Sequence, residues 1–319
     1  MDMLKQLSLA GIVPVIKVDD AKDAVSLCSA LSRGGLPAAE ITFRSEAAEE
    51  ASRLVHEQLP EVILGAGTVI TKEQVDRAQK AGASYIVSPG FDPEIVRYCQ
   101  QKGLPIVPGC AGPSDIERAI TMGLTTLKFF PAEALGGLKL IKAFAGPFYQ
   151  VTFLPTGGIN EANLNDYLGF DTVVACGGSW MVPGDAVKNK DWDRIENLTR
   201  SAVNKMLGLE LRHIGINSGS EDRSMKDAQA LAKLLGWEIF EHSKANFVGT
   251  AFEVMKVPFR GEKGHVAIAC NNVERARWHL ERRGFVFDEQ SAAYDDNGKL
   301  RLIYLKDDIA GFAFHLLKK

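Results

Sequence analysis

Short apolar, β-branched runs punctuate the first two-thirds of the chain: IVPVIKV, AAEITF, VILGAG, SYIVSP, LPIVPG, TLKFFP, VTFLPT and TVVACG. Their starts recur at roughly 21 to 26 residues. The runs are continuous, without alternation of polar and apolar positions, so they read as strands buried on both faces of a parallel sheet. The intervening stretches carry helix-start signals. Thr71 with Gln74 and Ser114 with Glu117 fit a capping box, Asp92-Pro93 fits a cap followed by the first turn, and Asn160 fits a cap. Strand and helix alternate eight times, which predicts a (β/α)8 TIM barrel over residues 1–207.

The last barrel helix is expected from Trp192 to Met206, after which LGLELRH opens a new strand almost at once. From 208 to 319 the pattern repeats internally. LRHIGINS, a helix and LGWEIF are echoed by GHVAIACN, the helix VERARWHLERR and GFVFD. GTAFEVMKV continues the first half, LRLIYLKD and GFAFHLL the second. These halves predict a smaller α+β domain of two βαβββ repeats.

Composition narrows the function. The chain has 319 residues, 46% hydrophobic and 24% charged, with a net charge of −3, so no global field draws nucleic acid or an anionic membrane. Small molecules are the expected partners. The apolar stretch Leu7 to Ile16 is interrupted by Gly11 and Pro14 and lacks a basic leader, and no later stretch is long enough to span a bilayer. The cysteines, Cys28, Cys99, Cys110, Cys176 and Cys270, are scattered without CxxC spacing, as expected of buried thiols in a reducing cytoplasm.

In a barrel, functional groups gather at the C-terminal ends of the strands. Lys17, Glu40 to Arg44, Gly65 to Thr68, Ser88 to Gly90, Lys128, Thr156 to Gly158 and Gly177 to Ser179 all fall there. Lys128 is the unusual one, a lysine inside the apolar and aromatic run TTLKFFPAE. A desolvated lysine faced by other cations is held as the free amine, which attacks a ketone to form a Schiff base. Glu40 is the carboxylate placed to move protons. Arg44 can grip a carboxylate in a bidentate fork, Thr68 follows a Gly65-Ala66-Gly67 turn, and PTGGI and CGGSW offer backbone amides to a phosphate. His56, the one histidine of this region, lies on a helix, which argues against histidine catalysis or a histidine-bound metal there.

EITFR, GAGTV, SPG, KFFPAE, GPF, PTGGI and GGSW, in that order, resemble the 2-keto-3-deoxy-6-phosphogluconate (KDPG) and 4-hydroxy-2-oxoglutarate (KHG) aldolases over about residues 1–207. The resemblance implies Lys128 as the Schiff-base lysine, Glu40 as general acid/base, and Arg44 and Thr68 as holders of the pyruvate moiety. It further implies that Pro89 and Phe130 shape the pocket, Thr156 orients substrate, and Gly157, Gly158, Gly178 and Ser179 bind phosphate. A homotrimer without metal or cofactor is implied as well. Two departures stand out: Cys110-Ala111-Gly112 in the fifth loop, where many relatives carry threonine, and Lys17 at the end of strand one. Lys17 is either a rival nucleophile or a neighbouring cation that supports a substrate anion and favours the neutral amine at Lys128.

Five of the six histidines lie beyond residue 210. The paired βαβββ units resemble the vicinal-oxygen-chelate superfamily, which includes glyoxalase I. That resemblance implies a divalent metal, Zn, Ni, Mn or Fe, held by His213, Glu253, His265 and His315, the last at a place where relatives usually carry glutamate. A metal-free binding or packing module is the other reading of the same residues. His242 and His279 are expected at the surface, and the ERARWHLERR helix is expected to be a solvated face. A different class of function also remains open, a non-catalytic ligand-binding barrel carrying a metal-dependent isomerase or lyase behind it.

Overall fold

The structure is a computed structural model and describes residues 2–319. The chain divides between Met206 and Leu207 into two compact units. In the first, eight strands alternate with helices: β1 (Ile12–Ile16), β2 (Ala38–Thr42), β3 (Ile63–Gly67), β4 (Tyr85–Val87), β5 (Ile106–Val107), β6 (Thr126–Phe129), β7 (Thr152–Pro155) and β8 (Cys176–Gly178). A curled parallel sheet runs β5-β4-β3-β2-β1-β8, and β6 pairs with β7. Isolated parallel bridges tie Gly109 to Lys128 and Thr156 to Gly177. β2 and β3 are buried at every position, as the unalternating sequence runs imply for strands covered on both faces.

The helix starts show where local chemistry was read correctly. Thr71 accepts from the Gln74 amide at 3.2 Å, and the Gln74 side chain reaches back to the amide of Ile70 at 2.8 Å. Asp92 caps the helix Pro93–Gln101 through the Glu94 amide, with Pro93 in the first turn. Ser114 is not a cap, because Pro113 takes the first helical position and moves the cap to Gly112; Asp115 then accepts from the Ala111 amide at 3.2 Å. Asn160 also stops short of capping: it closes a turn onto the Ala162 amide, and the helix Leu164–Leu168 begins after Asn163.

The second unit is one eight-stranded sheet. Its strands are β9 (Glu210–Asn217), β10 (Ile239–Glu241), β11 (Ala245–Val248), β12 (Phe252–Met255), β13 (Gly264–Cys270), β14 (Phe287–Tyr294), β15 (Leu300–Leu305) and β16 (Phe312–Lys318). The order is β10-β11-β12-β9-β13-β16-β15-β14, so the two βαβββ halves meet along the antiparallel pair β9 and β13. β11 was absent from the sequence reading, since Asn246 interrupts its short apolar run; that side chain is buried and donates to Ser224 Oγ at 2.9 Å. The helix Val273–Glu281 is not wholly solvated: Val273, Arg275, Ala276 and His279 are buried, which corrects the surface placement of His279. His242, by contrast, is exposed and stacks edge-on against Phe247.

All five cysteines are buried, and no disulfide occurs among the described residues. No helix of the described residues is long and apolar enough to cross a membrane.

Candidate functional site

Lys128 is the third residue of β6, and its backbone is fixed on both sides. Its amide donates to Pro108 O at 2.9 Å, and its carbonyl accepts from the Cys110 amide at 2.8 Å, which is the structural part played by the divergent fifth loop. The Lys128 side chain is 7% exposed and the Glu40 side chain 1%, and the ammonium donates to Glu40 Oε1 at 3.3 Å. Burying an ammonium or a carboxylate alone is costly, so each needs the other there. The face of the Phe130 ring lies 5.3 Å from the ammonium.

Glu40 sits in the middle of β2, and its carboxylate leans across β3. A Cβ on Gly67 would lie 2.2 Å from Glu40 Oε1, so only a bare residue there leaves room for the acid. Gly65-Ala66-Gly67 closes β3, the strand that the VILGAG run predicts, and its glycines make room for side chains of the neighbouring strands. Thr68 follows with φ +58, a left-handed conformation that a β-branched residue rarely adopts and that tends to mark a functional position. Arg44 is exposed, with its Nε donating to Thr42 Oγ1 at 3.1 Å, and Thr42 Oγ1 donates to Ile16 O at 2.9 Å, tying the end of β2 to β1.

Pro89 packs its carbonyl against Gly109, the bridge partner of Lys128. Thr156 is buried, with Oγ1 beside Gly177, where a Cβ would come within 2.3 Å of it. Gly157 and Gly158 both have positive φ, +97 and +86, and Gly158 additionally lies against the Glu133 side chain, 2.5 Å from where a Cβ would stand. Gly158 O accepts from the side-chain amides of Asn160 and Asn163, which holds this loop in shape. Gly178 underlies the Trp180 ring, and Ser179 is exposed beside it.

The Lys17 ammonium pairs with Asp19 at 2.7 Å, and its side chain is 48% exposed. The group against Lys128 is the Glu40 carboxylate, at 3.3 Å. Sequence reasoning also passed over Tyr85, wholly buried on β4; its only signal was Gly65, whose missing side chain makes room for the ring.

Residues 3–198 match the family model described as the KDPG and KHG aldolases. The chain belongs to the KDPG and KHG aldolase family. It is accordingly a lyase. It is similar to the 2-dehydro-3-deoxy-phosphogluconate aldolase of Haemophilus influenzae, 47% identical over 201 residues, 63% of this chain and 95% of that one. The KHG/KDPG aldolase of Escherichia coli is 43% identical over 197 residues, covering 62% and 92%. Among solved structures, the KDPG aldolase of Legionella pneumophila, captured with pyruvate as a covalent carbinolamine intermediate, matches with a TM-score of 0.62 and 38% identity over 63% of this chain and 98% of that one.

The second unit of this aldolase-family chain holds a separate cluster. His213, His265 and Glu253 offer ligand atoms within 4.8 Å of one another. His213 Nε2 lies 3.2 Å from His265 Nε2, and Glu253 Oε2 lies 3.2 and 3.0 Å from the two. Burial pushes the Glu253 carboxyl up, but hydrogen bonds from His213 and His265 outweigh it and bring the pKa down to about 2. The His315 ring lies alongside, its centre 5.4 Å from that of His265 and 5.7 Å from that of His213, and it also packs against Tyr304 at 4.6 Å. Burial, with the neighbouring imidazoles adding to it, holds His315 down at about 3. A cavity of about 590 Å³ opens over the cluster, lined by Phe247, Met255, Phe259, Tyr304 and Lys244 among others.

Proposed function

We propose that the chain is a Schiff-base aldolase that cleaves KDPG to pyruvate and glyceraldehyde 3-phosphate, and KHG to pyruvate and glyoxylate. The observation that carries this reading is the buried Lys128–Glu40 pair inside the curled sheet. The Legionella relative, caught with pyruvate as a carbinolamine, supports an amine nucleophile. The amine of Lys128 attacks the C2 ketone, and water leaves to give the iminium. Glu40 takes the proton of the C4 hydroxyl. The C3–C4 bond breaks, its electron pair enters the iminium to give the enamine, and the aldehyde departs. Glu40 then returns the proton to C3, and water hydrolyses the new iminium to pyruvate and free Lys128.

In this reading Arg44 and Thr68 hold the 2-oxo acid carboxylate, Pro89, Phe130 and Thr156 shape and orient, and Gly157, Gly158, Gly178 and Ser179 hold the phosphate. Lys17 supports substrate at the rim at most, given its ion pair with Asp19. The bridges Gly109 to Lys128 and Thr156 to Gly177 support a closed (β/α)8 barrel. The family resemblance supports a homotrimer, which sedimentation tests, and the scattered cysteines favour a reducing cytoplasm. Incubation with pyruvate and borohydride, followed by peptide mass analysis, tests the chemistry. An adduct at Lys128 is expected; no adduct, or one at Lys17 alone, overturns the reading.

A second reading concerns residues 208–319, where the paired βαβββ halves favour a glyoxalase-like domain with a divalent metal on His213, Glu253 and His265. Donors bound to one tetrahedral ion at zinc-like distances stand about 3.3 Å apart, and the three here are 3.0 to 3.2 Å apart. Zn, Ni, Mn and Fe all suit two imidazoles and a carboxylate, and such an ion would supply Lewis acidity. Elemental analysis after equilibration with each metal tests it. One ion per chain is expected, lost in His265→Ala; no ion taken up by the parent overturns it.

A further inference from the structure

The register of the parallel sheet places Glu40, Gly65 and Tyr85 in one row across β2, β3 and β4. Paired residues of neighbouring parallel strands point to the same face, so these positions share the interior. Gly65 has nothing to put there. A Cβ on it would lie 2.1 Å from Tyr85 Cζ, the ring carbon that bears the hydroxyl. The phenol of β4 thus lies across β3 with its polar end directed at β2. From β2, Glu40 leans across the same strand at Gly67, 2.2 Å from where a Cβ would stand. Two bare residues on one strand let an acid and a phenol approach from opposite sides.

Both side chains are wholly buried. Glu40 Oε1 accepts from Lys128, while Glu40 Oε2 and the Tyr85 hydroxyl have no hydrogen-bond partner among the described residues. Burial, and after it the charge of Glu40, raises the Tyr85 pKa well above its usual value, so the residue is a neutral phenol and a donor at working pH. A buried polar atom left without a partner costs about 1–3 kcal/mol, and phenylalanine would fill the same space without that cost. A donor from β4 and an acceptor from β2, both leaning over the bare glycines of β3, are instead satisfied together by one trapped water.

We propose that Tyr85 is a positioning residue for the aldol reaction, its hydroxyl donating through one trapped water to Oε2 of Glu40 and holding the carboxylate with Oε1 toward Lys128. The inference rests on the assignment of Glu40 as the general acid/base. A hydrogen bond from a neutral donor favours the carboxylate over the carboxylic acid. Removing it favours the acid, and the acid-side limb of the rate profile moves to higher pH.

The test uses the full chain with KDPG as substrate. Tyr85→Phe is expected to fold as the parent does, because the ring fills the same space, while kcat falls about tenfold, KM changes less than about twofold and the acid limb moves up by about one pH unit. Gly65→Ala, which displaces the ring without altering the hydroxyl, is expected to shift the limb in the same direction. If Tyr85→Phe keeps the parent's kcat and pH profile, the inference is overturned. Glu40→Gln separates the two levels of the reading. Should Glu40→Gln retain most of the parent's kcat, the acid/base assignment itself fails; should it be inactive while Tyr85→Phe matches the parent, only the role of Tyr85 falls.

Discussion

The two units build their polar clusters by the same device and to different electrical ends. In the first, Glu40 lies on bare Gly67 of the adjoining strand; in the second, the His265 ring lies on bare Gly215, where a Cβ would stand 2.1 Å from Cε1. In both, room for a functional group comes from a side chain missing on a neighbour. The first cluster joins an ammonium to a carboxylate and is balanced by its own residues. The second brings two imidazoles and one carboxylate to a point, with no lysine or arginine among them. A balanced pair suits covalent chemistry at the amine, while converging donors suit a cation added from outside.

Substitutions test this contrast most sharply at the amine. Lys128→Met is expected to lower kcat by roughly four or more orders of magnitude and to leave metal uptake by the second unit unchanged, measured by a coupled pyruvate assay and elemental analysis. Glu40→Gln is expected to cost about a hundred- to ten-thousand-fold in the same assay, the range of a lost general acid/base. His213→Ala is expected to do the reverse, lowering bound metal by more than about tenfold while leaving KDPG cleavage within about twofold. A smaller and more instructive pair is Gly67→Ala and Gly215→Ala. Each added methyl displaces the group above it at a cost of about 1–3 kcal/mol in stability. Gly67→Ala should cut kcat about ten- to a hundredfold, and Gly215→Ala should weaken metal uptake alone. If the effects crossed between units, the contrast would be wrong.

The mildest expectation concerns thiols. Burial, the main cause in each case, pushes Cys28, Cys110 and Cys270 up to about 12 and Cys99 to about 11. At pH 8 these groups are protonated in the folded chain, so iodoacetamide should label them slowly in both units. Labelling should rise only as pH nears those values, or at once on unfolding, when all five cysteines react. Rapid labelling of Cys270 alone at pH 8 would reveal a second unit that opens independently.

Much of the first unit was legible because its signals are local. A strand buried on both faces writes itself as a continuous apolar run, and Lys128 stands out against that run. The caps were readable where one side chain meets one amide, as at Asp92, and misread where proline shifted the start, as at Ser114. The partnership of Lys17 with Asp19, the room that Gly65 and Gly67 make for side chains of the adjoining strands and the place of Tyr85 were not legible. They depend on rotamers or on what the neighbouring strand holds, and register is a property of two segments at once. In the second unit the duplicated HIGI and HVAI segments announced two related strands, but not that Tyr304 would pack against the His315 ring.

The pairing of β9 with β13 carries one more consequence. His265 stands opposite Gly215 and His213 opposite Ala267, so each half supplies one imidazole and the small residue that makes space for the imidazole of the other. The closing strands of the halves supply Glu253 and His315. The polar centre therefore exists only while the two halves stay paired, so any event that parts β9 from β13 takes the whole cluster apart at once.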